Sequence, residues 1–143
     1  MTPAPRRGPW VAAQANRPLF VALGISGEEV GEGFASYRVE AVRGGAAPDG
    51  TVSNLAVTTA ADQALVTAVS TVIEDGREAM NGTAEMTLTY VAKPQGAVIV
   101  ESRVLHKGRR LAVMTVEALD QSGALVATGR GTYSIRPAPG VSP

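Results

Sequence analysis

One long helical stretch limits what this chain can fold into more than any other feature. Residues 53–74 read SNLAVTTAADQALVTAVSTVIE. At about 100° per residue, the aliphatic side chains fall on one arc of a helix. That arc holds Val57, Ala61, Ala64, Leu65, Ala68, Val69 and Val72, and the opposite arc holds Thr59, Gln63, Thr67, Ser70 and Glu74. The pattern predicts an amphipathic helix with a wide apolar face.

Asp62 interrupts this pattern, because it is the one ionised side chain on the apolar arc. It lies between the row of Val69 and the row of Leu55, Val66 and Ile73. A carboxylate held against apolar neighbours costs free energy unless it has a partner or a task. Two interpretations are open. Asp62 is either a working carboxylate in a cleft or an acidic residue at the edge of the face, hydrogen-bonded or reaching water.

Composition excludes several classes of protein. The 143 residues suffice for one domain with a real core. Thirteen basic and thirteen acidic residues balance, which argues against a nucleic-acid binder or a membrane-surface binder. The sequence contains no run of 18 apolar residues that could span a membrane. No apolar segment follows the charged first ten residues, so we expect no signal peptide and a cytoplasmic protein. With no cysteine and a single histidine, His106, we expect no metal site.

Turn residues divide the remainder of the chain into short elements. We expect residues 1–15 to form a flexible arm, residues 16–136 a single domain, and residues 137–143 a disordered tail. A short helix is predicted within residues 10–23, and Ile25 and Val30 are compatible with a short strand. Alternation over residues 34–42 predicts a strand with Ala35, Tyr37 and Val39 on one face. A loop, RGGAAPDG, then leads to a helix cap at Ser53 or Asn54.

Four strands are predicted after the helix. A short connection runs between Asp75-Gly76 and Asn81-Gly82, and the strands cover residues 85–92, 97–105, 110–119 and 125–135. Short turns between strands predict antiparallel neighbours, and therefore a four-strand meander. The fold class is α+β, with one helix of about 30 Å lying across one face of the sheet. The open sheet edges favour association with a second copy.

Three short motifs resemble those of a known family. The segment APDGTVSNL (residues 47–55) and Asp62 resemble a loop N-P-x-G-x-x-H-G-G followed by a helix with L-x-D. LHKGRRLA (105–112) resembles V-x-x-G-R-R-x-A, and DQSGALVA (120–127) resembles D-x-x-G-x-L-V-A. These patterns, in this order over residues 19–136, are similar to those of hotdog-fold thioesterases related to the phenylacetic-acid-degradation enzymes. The resemblance implies a long central helix wrapped by a curved antiparallel sheet of five to six strands.

The resemblance also implies a function and a set of site residues. The function is hydrolysis of an acyl-CoA thioester with a small or aromatic acyl group, with coenzyme A entering only as part of the substrate and no other cofactor. Asp62 acts as general base or nucleophile, backbone amides at the helix start, including that of Leu55, form the oxyanion hole, and Ser53 occupies the position of the family histidine. Further residues expected to contact substrate are Pro48, Gly50, Val52, Asn54, Thr58, Thr59, Lys107, Arg109 and Arg110, the last three through coenzyme A phosphates. The implied assembly is a homo-oligomer, a dimer or a tetramer, without nucleic-acid or membrane partners.

The chain departs from the family loop at four positions. Ala47 replaces the asparagine, Ser53 the histidine, and Asn54 and Leu55 the two glycines. A backbone oxyanion donor does not require glycine. Asp62 lies about two turns, roughly 12 Å along the helix axis, from the Asn54-Leu55 pair, which fits a site shared between two protomers better than a site within one. The alternative function is a catalytically weak or inactive hotdog module that binds an acyl-CoA or an aromatic ligand.

Overall fold

The computed structural model describes residues 17–142. The predicted arm, the first part of the predicted 10–23 helix and Pro143 lie outside the described residues. Within the described part, the elements follow in the order α1 (Pro18–Leu23), β1 (Ile25–Gly31), β2 (Phe34–Val39), α2 (Asn54–Ser70), β3 (Glu78–Tyr90), β4 (Val98–Lys107), β5 (Leu111–Asp120) and β6 (Leu125–Pro137). The predicted strand after the Gly24 turn therefore exists, and the last strand extends to Pro137.

All six strands form one antiparallel sheet. Their order across the sheet is β1-β2-β4-β5-β6-β3. The long helix α2 lies on one face, where it packs chiefly against β2 and β4. A single central helix on a six-stranded antiparallel sheet is the hotdog architecture, and this confirms the predicted α+β class.

The core lies between α2 and the inner face of the sheet. Alanines supply much of the helix surface there, and Ala60, Ala61, Ala64 and Ala68 are completely buried. Small side chains allow the helix axis to approach the strands closely. Gly131 of β6 extends this pattern, because a Cβ atom at that position would lie 2.4 Å from Leu65 Cδ1. The absence of a side chain at Gly131 therefore makes room for Leu65, the largest fully buried side chain of α2.

Both ends of α2 have local causes. At the start, the Ser53 hydroxyl accepts a hydrogen bond from the Ala56 N–H at 3.1 Å, which caps the helix. The helix ends at Ser70, four residues before the predicted end at Glu74. The run from Thr71 to Ile73 is β-branched, which disfavours helix, and the Thr71 hydroxyl binds both the Ala68 carbonyl and the Gly33 N–H at 2.7 Å.

The predicted meander is wrong in its first step. The strands β3 and β4 are consecutive in the chain, yet β5 and β6 lie between them in the sheet. The segment between Tyr90 and Val98 is thus a crossing connection rather than a hairpin turn, and its Pro94 is buried. The strand β3 also begins at Glu78, seven residues before the predicted start, because Asn81-Gly82 forms a bulge within the strand rather than a turn before it.

The strand β3 forms one edge of the sheet. It pairs with β6 along its whole length, and within residues 17–142 no strand pairs with its other side. Thirteen residues of edge strand present a long row of free backbone groups. In the described residues, no helix combines the length and apolar character needed to cross a membrane.

Candidate active site at the start of the central helix

A cleft of about 830 Å³ opens at the N-terminal end of α2. One wall comes from residues 46–55, the loop and first helical turn, and the other from residues 90–94, the end of β3 and the crossing connection. Most of the lining side chains are aliphatic. Among the predicted site residues, Pro48, Val52, Ser53, Asn54 and Leu55 line this cleft.

The first two amides of α2 are available at this cleft. The Ser53 hydroxyl takes the Ala56 N–H, and the Ser53 carbonyl accepts from the Val57 N–H at 3.1 Å. Within residues 17–142, no acceptor is found for the N–H groups of Asn54 or Leu55. Free N–H groups at a helix start carry partial positive charge and favour an anion or a developing oxyanion. The Leu55 side chain is 75% exposed, so it does not bury this end of the helix.

Two hydroxyls, one from β3 and one from α2 itself, bind the carbonyl oxygen of the first helical residue. The Tyr90 hydroxyl donates to the Asn54 carbonyl oxygen at 3.0 Å and also contacts the Thr58 hydroxyl. Thr58 donates to the same carbonyl at 2.8 Å. Thr59, by contrast, bonds the Leu55 carbonyl at 2.9 Å, which is the ordinary use of a helical threonine.

The loop that forms the outer wall is held in one shape by Asp49. Its Oδ1 accepts from the Thr51 N–H at 3.1 Å and from the Thr51 hydroxyl at 2.7 Å, and its Oδ2 forms an ion pair with Lys93 Nζ at 2.8 Å. Lys93, and after it Thr51, hold the pKa of the Asp49 carboxyl well below its usual range. Gly50 completes the turn with a φ of 83°, a left-handed conformation that suits glycine. The charges of the two cleft walls thus neutralise each other.

Asp62 lies outside this cleft, at the boundary between α2 and the edge strand β3. Its side chain is half-buried, and its Oδ1 accepts a hydrogen bond from the Thr83 hydroxyl at 2.8 Å. Thr83 pairs with Tyr133 across β3 and β6. Burial raises the pKa of the Tyr133 hydroxyl, and the nearby charge of Asp62 raises it further. Within one chain, Asp62 is therefore an acidic residue at the edge of the buried face with a hydrogen-bond partner, and its catalytic role stays a prediction.

The basic hairpin predicted to bind phosphates lies near the C-terminal end of α2, at the opposite end of the helix from the cleft. Lys107 Nζ forms an ion pair with Glu78 Oε1 at 2.7 Å, and Glu78 Oε2 accepts from the Glu74 N–H at 3.0 Å, beyond the C-terminal end of α2. Lys107 lowers the pKa of the Glu78 carboxyl. Arg109 and Arg110 are exposed beside it. Within one chain, these residues lie about the length of α2 from the cleft, and their contact with a phosphate stays a prediction.

Two residues at the site were missed by the sequence analysis. Thr83 lies between the predicted connection and the strand predicted from residue 85, and Tyr90 lies within that strand, so the sequence pattern connected neither with α2. Both lie on β3, and their contacts with the helix depend on the position of β3 at the sheet edge. A recognisable signal existed only for Tyr90, as an aromatic hydroxyl near the end of a predicted strand.

Comparisons with known proteins agree with the fold. The family model described as the thioesterase superfamily matches residues 49–127. A thioesterase from Haemophilus influenzae is similar in structure with a TM-score of 0.77 and 17% identity, over 90% of this chain and 88% of that one. A conserved protein from Pseudomonas aeruginosa has a TM-score of 0.74 and 26% identity, over 87% and 98%. The PaaI protein of the Escherichia coli phenylacetic acid degradation operon has a TM-score of 0.70 and 20% identity, over 91% of each chain. No curated protein matches the chain significantly.

The family match covers more than half of the chain, from the cleft loop to the start of β6. It includes the whole of α2, with Ser53 and Asp62, and the edge strand that carries Thr83 and Tyr90. This chain belongs to the thioesterase superfamily. The sequence resemblance to PaaI-like thioesterases is confirmed at the level of family and fold.

Proposed function

We propose that this protein is an acyl-CoA thioesterase whose active site is completed by a second copy of the chain. The observation that carries this proposal is the placement of Asp62 beside Thr83 on an edge strand, with the free Asn54 and Leu55 amides at the end of the same helix. The distance along α2 is roughly 12 Å, too long for one reacting carbonyl to meet both groups within a chain. Antiparallel pairing of two β3 strands through a twofold axis would bring the Asp62 of one protomer towards the helix start of its partner.

The proposed chemistry uses few groups. Asp62 takes a proton from a water molecule, whose oxygen attacks the thioester carbonyl carbon, or Asp62 attacks that carbon itself to form a mixed anhydride that water then hydrolyses, which releases the acid and restores the carboxylate. The Leu55 N–H, together with that of Asn54, donates to the oxyanion of the tetrahedral intermediate. When the C–S bond breaks, the thiolate of coenzyme A leaves and takes up a proton. Thr83 holds the Asp62 carboxylate by its Oδ1, which leaves Oδ2 to face water.

The lining of the cleft supports a small or aromatic acyl group without charge. Pro48 and Val52 line one wall, and Val91, Ala92 and Pro94 line the other. Apolar walls of this kind stabilise apolar groups by removing their surface from water. Because Asp49 and Lys93 are paired with each other, the cleft lining within residues 17–142 offers no unpaired charge to a carboxylated acyl group.

Ser53 has a structural role in this proposal. Its hydroxyl accepts from the Ala56 N–H, so it caps the helix and keeps its remaining capacity as a donor. Ser53→Ala is expected to lower the free energy of unfolding by about 1 kcal/mol. Its effect on turnover should be far smaller than that of Asp62→Asn, which removes the base and is expected to lower kcat about 10²–10⁴-fold.

A binding module is the second candidate function. The observation that favours it is the engagement of the Ser53 hydroxyl in capping, at the position where the family has histidine. The two functions are separated by thiol release from short, medium and aryl acyl-CoA thioesters, measured for wild type, Asp62→Asn and Ser53→Ala together with their melting temperatures. Hydrolysis that depends on Asp62 supports the thioesterase. Binding of a thioester without hydrolysis by any variant supports the binding module, and wild-type turnover in Asp62→Asn refutes the assignment of Asp62.

A further inference from the structure

Two hydroxyls from different elements converge on a single backbone carbonyl in the cleft. The Tyr90 hydroxyl of β3 and the Thr58 hydroxyl of α2 both donate to the Asn54 oxygen, at 3.0 Å and 2.8 Å, and they contact each other. That carbonyl belongs to the peptide group whose N–H is the amide of Leu55. The amide at the other end of this peptide group is one of the two free donors of the cleft.

Hydrogen bonds at the two ends of one peptide group strengthen each other. A donor at the carbonyl oxygen draws electron density towards that oxygen and makes the N–H of the same group a stronger donor, by about 10–30% per bond. The two hydroxyls also fix the plane of the peptide group, and hence the direction of its N–H. A fixed, strengthened donor is what stabilises charge that develops only in a transition state.

The neighbouring peptide group is arranged differently. The Leu55 carbonyl also accepts a threonine hydroxyl, from Thr59 at 2.9 Å. Its amide partner, the Ala56 N–H, is already bound to the Ser53 hydroxyl and cannot serve a ligand. Of these two peptide groups, only the one between Asn54 and Leu55 has both a carbonyl that accepts two hydroxyl hydrogen bonds and a free N–H at the cleft.

We propose that Tyr90 is a positioning residue which, together with Thr58, orients and strengthens the Leu55 amide as the oxyanion donor. This inference rests on the proposed thioester hydrolysis. Tyr90 acts on the reaction through the peptide group and does not exchange a proton with substrate. The strand β3 then contributes twice to catalysis, since Thr83 holds Asp62 and Tyr90 holds the oxyanion hole.

Steady-state kinetics of four variants test this role. Tyr90→Phe keeps the ring and removes the hydroxyl, and Thr58→Val removes the second hydroxyl, whereas Thr58→Ser keeps it. We expect Tyr90→Phe and Thr58→Val each to lower kcat about fivefold, the effect of one lost hydrogen bond in the transition state, with KM nearly unchanged and Thr58→Ser close to wild type. The matched control is Tyr37→Phe, which removes a hydroxyl bonded to Thr67 at 2.9 Å in the core, and should lower the melting temperature without lowering kcat.

A spectroscopic readout separates polarisation from a structural effect. The probe is an acyl-CoA analogue in which a methylene group replaces the thioester sulfur, with a ¹³C carbonyl that is followed by isotope-edited infrared spectroscopy. We expect its carbonyl stretch to fall to lower frequency on binding to wild type and to Tyr37→Phe, and to fall less in Tyr90→Phe.

The outcomes distinguish this inference from the proposed function. If wild type hydrolyses thioesters while Tyr90→Phe retains both wild-type kcat and the full frequency shift, the role of Tyr90 is refuted and the function stands. If wild type hydrolyses no thioester, the proposed function fails, and the frequency comparison still decides whether Tyr90 polarises the bound carbonyl.

Discussion

Replacing Gly131 by alanine would place a methyl group in the contact between β6 and the central helix. The added Cβ would lie 2.4 Å from Leu65 Cδ1 and 3.0 Å from Cδ2, and Leu65 is completely buried. Ordinary carbon contacts are about 3.5–4.0 Å, so either the leucine or the helix must move by roughly 1 Å. Overpacking of this kind costs about 1–3 kcal/mol. The displacement would also reach Asp62, which lies one turn before Leu65 on α2.

A second substitution should relieve this strain. Leu65→Val removes both δ methyl groups, and its loss of one carbon balances the carbon that Gly131→Ala adds. Leu65→Val alone should cost about 1 kcal/mol, because it leaves a small cavity. We expect the double variant to be more stable than the sum of the two single effects by about 0.5–3 kcal/mol. Urea denaturation of wild type, both single variants and the double variant measures this coupling, with midpoints and slopes compared directly.

Gly129 provides the matched control for this cycle. A Cβ at Gly129 would lie 1.9 Å from the Thr87 carbonyl oxygen, a backbone atom of β3 that cannot rotate away. Gly129→Ala should therefore destabilise the protein, and Leu65→Val should not compensate for it. Strictly additive effects for Gly131→Ala and Leu65→Val would refute the account of how the helix is seated on the sheet.

Two further predictions concern acid stability and assembly. Hydrogen bonds from Ser122, the Gln95 N–H and the Ala124 N–H lower the pKa of Asp120 from 3.8 to about 2. The stability that the Asp120 carboxylate gives the fold is therefore complete above pH 3.8 and is lost as the pH falls through about 2. Asp120→Asn should lower the melting temperature at pH 7, with a gap from wild type that closes below about pH 4; a gap that does not change with pH contradicts this. Sedimentation velocity at micromolar concentration should show a dimer or tetramer, whereas a 14.7 kDa species alone contradicts the shared site.

Much of the fold could be predicted from local pattern. The 3.6-residue period located α2, and the alternation of Ala35, Tyr37 and Val39 located the inner face of β2, where all three are completely buried. Thr67 was placed on the polar arc, yet it is buried because its hydroxyl satisfies both the Gln63 carbonyl and Tyr37. A polar residue with such partners can occupy a core position that composition alone assigns to solvent.

Pairing between distant strands could not be predicted from local pattern. The alternation that identified β3 is the same whether the strand pairs with β4 or with β6. The contacts of Thr83 with Asp62 and of Tyr90 with the Asn54 carbonyl follow from that pairing. Neither contact could therefore be predicted from the sequence. The resemblance to the family pointed to Asp62 and the helix start as site residues, and this assignment stays a prediction. It carried no information on the hydroxyls that support them.

Subunit complementation tests the shared active site most directly. Asp62→Asn removes the base, and Leu55→Pro removes the amide donor in the first helical turn, where a proline is tolerated. Each variant alone should be inactive while its melting temperature shows that it is folded. After unfolding and refolding together in equal amounts, half of the dimers carry both variants, and each of these has one intact site, so the mixture should recover about a quarter of wild-type activity. A mixture with no more activity than its parents would contradict a site built from Asp62 of one protomer and the helix start of the other.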